Sequence, residues 1–152
     1  MLGNSQSARS KSGRVANILG MKTPLMLLFT SDNESEDSVA EALLELGGVS
    51  HLTSDAGQAL NTVCGVPDLD LALIDFEHGS DGMTLLSAIS ILREDLPVIV
   101  VIRNGEKDVE ALAYKKGARA CFAKPVVVTR LVSAIRELLK PEPEVVSACR
   151  KA

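Results

Sequence analysis

The sequence predicts an α/β domain: a five-stranded parallel sheet, doubly wound, with helices on both faces. Three observations carry this. Short apolar runs alternate five times with stretches whose apolar residues repeat at helical spacing. The runs are continuous rather than alternating, as in strands buried on both faces. Glycine, proline and small polar residues punctuate the joints between them.

The elements follow in order. Residues 25–29 form the first apolar run and the first strand. Residues 30–36 are polar and open a helix in which Val39, Ala42, Leu43 and Leu46 recur on one face. Gly47-Gly48 ends that helix. Residues 49–53 read as a short strand, and Asp55 caps a second helix that continues to about Cys64. Pro67 breaks the chain before Leu71 to Ile74, an apolar run that stops on Asp75. Residues 76–82 have loop composition, and Met83, Leu86, Ile89 and Leu92 line a third helix. Pro97 opens the fourth strand, five β-branched residues at 98–102. Val109, Leu112 and Ala113 mark a fourth helix ended by Gly117. Residues 119–123 form the fifth strand. Leu131, Val132, Ile135, Leu138 and Leu139 line the last helix, which Pro141 and Pro143 end.

At 152 residues and 46% hydrophobic, the chain suits one domain with a sizeable core. Aromatics are 3%, so that core must be built from Leu, Val, Ile and Ala. No run approaches the ~18 apolar residues of a membrane span, and no membrane contact is expected. Three widely spaced cysteines, Cys64, Cys121 and Cys149, form no visible metal or redox pair and fit a reducing cytoplasm. Residues 1–22 carry Arg9, Lys11, Arg14 and Lys22 and no acid. Of 16 basic and 20 acidic residues, 12 and 20 remain beyond residue 22, a net −8. An acidic domain argues against direct nucleic-acid binding. We read 1–22 as a flexible basic arm, 23–140 as the folded domain and 141–152 as a loose tail.

In open α/β sheets, chemistry gathers beyond the carboxyl ends of the strands. Three strand ends carry suitable residues: Thr30-Ser31-Asp32, Asp75 and Lys124-Pro125. With Leu96-Pro97 entering the fourth strand and Asp81-Gly82 opening the third helix, this set resembles the receiver domain of bacterial response regulators. The resemblance covers residues 25 to about 139. It implies the flavodoxin-like strand order 2-1-3-4-5. It implies that Asp75 is the phosphoacceptor for a histidine kinase, that Lys124 contacts the phosphoryl oxygens, and that Pro125 follows a cis peptide bond. It also implies Mg²⁺, held by an acidic pair after the first strand together with Asp75. The chemistry needs these cations: bringing unit negative charges to ~4 Å at an effective dielectric of ~20 costs about 4 kcal/mol per pair.

Four departures alter the expectation. The acidic-pair positions fall on Thr30 and Ser31, and Asp32 is one residue late; it enters the metal site only through a loop shift and otherwise caps the helix. Ile102 stands where the family has a switch Thr or Ser. Cys121 stands where it has an aromatic partner. The loop from Asp75 to Gly82 is one residue short and lacks its proline. Asp75 and Lys124 are therefore expected as an intact pair beside a weakened Mg²⁺ site and switch.

The function expected is that of a single-domain receiver-like protein in phosphorelay signalling, with weakened or absent phosphorylation at Asp75; the alternative is a normally phosphorylated receiver. It is not expected to be an enzyme. About a dozen residues follow the last helix, so output is expected through a protein partner, a histidine kinase or a downstream effector. A homodimer through the fourth helix, fifth strand and fifth helix is also expected, with Tyr114 and the exposed valines 126–128 as contacts. A flavin protein of similar topology fits worse, because residues 30–35 contain no glycine to cradle a phosphate. Lys124 is otherwise a surface lysine or a structural ion-pair partner of Asp75, and Cys121 a small core residue. Glu36, Asp37 and Glu41 read as a solvated helix face. His51 and His78 are lone histidines without a phosphotransfer setting.

Overall fold

A computed structural model describes residues 23–30, 33–76 and 80–140, the side chains of residues 33–36 and 80 aside. The elements alternate without exception: β1 Leu25–Phe29, α1 Asn33–Leu46, β2 Val49–Thr53, α2 Ala56–Gly65, β3 Leu71–Asp75, α3 Ser80–Leu92, β4 Val98–Ile102, α4 Lys107–Lys115, β5 Ala120–Ala123 and α5 Val128–Leu138. The five strands form one sheet in the order β2-β1-β3-β4-β5, and every pairing is parallel. This is the doubly wound, flavodoxin-like arrangement expected from the sequence. The expected arm, the tail, Ser31, Asp32 and His78 lie outside the described residues.

Two apolar layers enclose the sheet. Leu27, Phe29, Ala72, Ile74, Val98 and Val100 face Ala59 and Val63 of α2, Leu85, Leu86 and Ile89 of α3, and Ala113 of α4. Met26, Leu28, Leu71, Leu73, Ile99 and Val101 face Val39, Ala42 and Leu43 of α1 and Leu131, Val132 and Ile135 of α5. Adjacent residues of each central strand thus enter opposite layers, which is why β1, β3 and β4 read as unbroken apolar runs. β2, at the sheet's edge, differs: Val49 to Leu52 are exposed.

Local chemistry fixes the joints. The Asp55 carboxylate accepts the Gln58 N–H at 3.0 Å and caps α2, as expected. Gly47 and Gly117 adopt positive φ of 70° and 119° after α1 and α4, a conformation that costs other residues energy. No sequence pattern points to Arg93. Its guanidinium donates to the carbonyls of Val63 and Val66 at 3.2 and 3.1 Å and to that of Leu69 at 3.4 Å. It satisfies carbonyls at the end of α2 that the helix leaves unpaired and anchors the approach to β3.

Several expectations need correction. α3 begins at Ser80, so residues 80–82 are helical rather than loop, and Asp81-Gly82 opens the helix as the resemblance implied. Leu85 joins Leu86 and Ile89 in the core, while Leu92 is half exposed at the helix end. Leu112 is also partly exposed, and Ala113 takes the buried place on α4. Helices as short as α4 bury only a narrow stripe, and neighbouring apolar residues fall outside it. Of valines 126–128 only Val127 is exposed; Val126 and Val128 pack against the layer of α1 and α5.

Gly82 lies in close contact with the chain that follows β3. A Cβ there would lie 2.6 Å from Cδ1 of the buried Phe76 ring. Gly82→Ala is expected to lower stability by about 1–3 kcal/mol through overpacking. Gly65→Ala, where a Cβ meets nothing within 4 Å, is expected to change it by less than about 1 kcal/mol, toward greater stability. Urea unfolding of the two variants checks the contrast.

Candidate functional site

Parallel pairing delivers the expected residues to one edge. β1 and β3 align Phe29 with Ile74, and β3 and β4 align Asp75 with Val101. Thr30, directly after Phe29, therefore stands beside Asp75. Ile102 ends β4, and its carbonyl accepts the Lys124 N–H at 2.9 Å. Thr30, Asp75, Ile102 and Lys124 thus share the carboxyl edge of the sheet. The Thr30 N–H in turn donates to the Thr53 carbonyl at 3.1 Å.

Asp75 is the centre of the group. Its side chain is 1% exposed, and Lys124 Nζ lies 3.1 Å from its Oδ2, with the lysine side chain 15% exposed. Thr30 Oγ1 donates to the same oxygen at 2.9 Å. A buried carboxylate without such partners would carry a desolvation penalty of several kcal/mol. Lys124 is therefore an ion-pair partner rather than a surface lysine. The Lys124–Pro125 peptide bond is cis.

The positions around this pair are apolar or displaced. Ile102 is buried, with no group that can hydrogen-bond. Cys121 is half-buried in the middle of β5 and packs toward the layer of α2, α3 and α4. Burial, then the Glu110 carboxylate, pushes its thiol up to about 11, which suits a packing group better than a nucleophile. Tyr114 of α4 reaches the backbone of this strand at Cys121. Burial first, then Cys121 and Glu110, raises its phenol above the ordinary value, and a hydrogen bond with the Cys121 backbone works the other way. On the face of β5 that carries Cys121, the aromatic ring thus comes from the neighbouring helix, a placement that sequence spacing cannot reveal. His51 is exposed on β2.

Mg²⁺ finds few suitable donors at this edge. Among the described residues, no group of three or more His, Cys, Asp or Glu is placed to hold a metal ion. At this edge Asp75 offers a carboxylate whose Oδ2 already receives a hydroxyl and an ammonium. Thr30 contributes its hydroxyl inward to that carboxylate. Mg²⁺ is usually bound through one or two carboxylates with several waters, and the described donors do not fit that need.

The contacts define an order of costs. Thr30→Val should lower stability by about 1–2 kcal/mol, as one donor to a buried carboxylate is lost. Lys124→Met should cost about 3 kcal/mol, because it leaves Asp75 buried and charged. Adding Asp75→Asn to Lys124→Met should recover much of that loss. A double-mutant cycle by chemical denaturation checks the coupling.

Comparisons with known proteins follow the same lines. The response regulator receiver domain family matches residues 24–136. The chain is 23% identical over 138 residues to the sensory/regulatory protein RpfC of Xanthomonas campestris pv. campestris, an alignment covering 81% of this chain and 19% of that protein. It is 31% identical over 71 residues to sporulation initiation phosphotransferase F of Bacillus subtilis, covering 46% of this chain and 57% of the relative. The chain thus spans about a fifth and somewhat over half of the length of these two relatives. Among solved structures, it resembles a response regulator from Thermotoga maritima with a TM-score of 0.68 and 21% identity, covering 77% of this chain and 98% of that one. A CheY-like receiver domain protein from Methanospirillum hungatei JF-1 gives a TM-score of 0.68 and 25% identity over 78% and 94% of the chains. With the sheet order, the edge residues and a match across most of its length, the chain belongs to the response regulator receiver domain family.

Proposed function

We propose that this receiver domain acts in two-component signalling as a protein-binding module in which Mg²⁺-dependent phosphorylation of Asp75 is weakened or absent. The observation that carries this reading is the Thr30–Asp75 hydrogen bond of 2.9 Å. Thr30 occupies a position where the resemblance calls for a metal-binding acid, and its hydroxyl instead satisfies the acceptor carboxylate. Lys124 neutralises the same oxygen at 3.1 Å. Together they supply locally much of what a metal ion would supply. Ile102, in the switch position, adds to this, since isoleucine offers no hydroxyl to a phosphoryl group.

The second reading, normal phosphorylation of Asp75 by a histidine kinase, is favoured by the Asp75–Lys124 contact itself. The similarity to a relative named a phosphotransferase is in keeping with a place in phosphotransfer signalling under either reading. No helix among the described residues is long and apolar enough to cross a membrane. As part of the same reading we propose the cytoplasm as its place of work, with a kinase or effector as partner.

Incubation with acetyl phosphate, with and without Mg²⁺, separates the two readings. The first expects little or no phosphoryl-Asp75 in either arm; ready Mg²⁺-dependent labelling that Asp75→Asn abolishes would establish the second. Thermal unfolding across a Mg²⁺ titration gives an independent readout. Wild type should not shift at millimolar Mg²⁺. Thr30→Asp with Ser31→Asp should be less stable without the ion and regain roughly 4 °C with it, as a ligand that binds only the folded state stabilises it.

For partners, we propose self-association through α4, β5 and α5. Leu112, Tyr114 and Val127, each 41–52% exposed, lie on these elements or just before α5. Sedimentation equilibrium should show dimers at high micromolar concentration, weakened by Tyr114→Asp; a monomer throughout would exclude this interface.

A further inference from the structure

One face of α1 is left unaccounted for by the signalling reading. Its exposed positions Asp37, Ala40, Glu41, Leu44 and Glu45 follow the three- and four-residue spacing of a single helix face. Leu44 is 81% exposed. α1 contains no Lys or Arg in its 14 residues. Among the described residues, no ion pair involves Asp37, Glu41 or Glu45. The apolar exposure continues beyond the helix, where Val49 at the start of β2 is 54% exposed. Bare leucine and valine among unpaired acids match a segment that is both basic and apolar.

Such a segment joins the domain beside this face. Pro24 is buried against the turn that follows α1. Its carbonyl accepts the Val49 N–H at 2.9 Å, and a Cβ on Gly48 would lie 3.1 Å from that oxygen. The chain before Pro24 therefore leaves from the C-terminal end of α1. That chain carries Arg9, Lys11, Arg14 and Lys22, no acid, and the apolar Val15, Ile18 and Leu19. The reach is ample. Asp37 and Glu45 are about 12 Å apart along the helix axis, and the stretch from Arg14 to Thr23 spans up to ~30 Å when extended. Tethering supplies an effective concentration on the order of millimolar, so weak contacts suffice.

We propose that residues 14–22 dock on the exposed face of α1. Arg14 and Lys22 pair with Asp37, Glu41 and Glu45, and Val15, Ile18 and Leu19 cover Leu44 and Val49. The occupant is the chain's own arm rather than a second copy's α1, because two such acidic faces repel. The contact shields an acidic surface that a basic partner, or high salt, would uncover. It stands whether or not Asp75 accepts a phosphoryl group.

Hydrogen exchange on the full chain tests it. Amides of residues 14–22 should exchange roughly five-fold more slowly at low salt than at about 1 M, where the Debye length is ~3 Å. This protection should not depend on protein concentration. Glu41→Lys with Glu45→Lys should abolish it, and adding Arg14→Glu with Lys22→Glu should restore it. Leu44→Ser should weaken it with every charge in place. Exchange in the wild type that is indifferent to salt would overturn the proposal without recourse to any variant. Failure of the charge swap to restore protection would also overturn it. Protection that grows with protein concentration would do so too, making a second copy the occupant.

Discussion

A carboxylate at the end of a fully buried strand must be neutralised, and the Asp75–Lys124 pair is the contact on which the functional edge depends. β3 lies between β1 and β4, with both faces covered. Its terminal side chain is almost completely removed from water. The compensating cation comes from β5's end, two strands away, and the compensating hydroxyl from β1's end. One anion therefore ties three strand ends together. Removing either partner leaves a buried charge less compensated.

The rest of the fold keeps that edge in place. Asp70, just before β3, accepts the Leu25 N–H through its carboxylate at 2.9 Å and donates its own N–H to the Leu25 carbonyl at 2.8 Å. Arg93 binds the segment just before it. Both ends of β3 are thus fixed by polar contacts, and the middle by two apolar layers. Phe76, the residue after Asp75, is held in turn by Gly82 at the start of α3. The position of the Asp75 carboxylate follows from contacts spread along much of the domain.

The exposed surface divides in a comparable way. The exposed apolar side chains Leu112 and Tyr114 of α4 and Val127 just before α5 lie on the elements that flank β5 in the chain. The bare acids and leucine of α1 sit at the β2 side, where the edge strand is poorly covered. Two faces of different chemistry suit different occupants, one apolar with an aromatic and one acidic with an aliphatic centre. A small domain that communicates through its surface gains from that separation, because contacts at one face need not compete with contacts at the other.

The sequence by itself determined the alternation of elements, the two-faced burial of β1, β3 and β4, and the chain positions of Asp75 and Lys124. These are properties of local pattern: continuous apolar runs, helical spacing and residues that stop a strand are all written in consecutive positions. Sequence order could suggest that the strand ends converge, but not which groups touch. That Thr30 turns its hydroxyl onto Asp75, that Arg93 closes α2, and that Tyr114 reaches the backbone at Cys121 are contacts between residues 45, 24 to 30, and seven positions apart. Leu92 and Leu112 misled for the same reason. Each lies near a helical apolar stripe, and only the placement of the helix against the sheet decides which apolar residues receive cover and which remain in water.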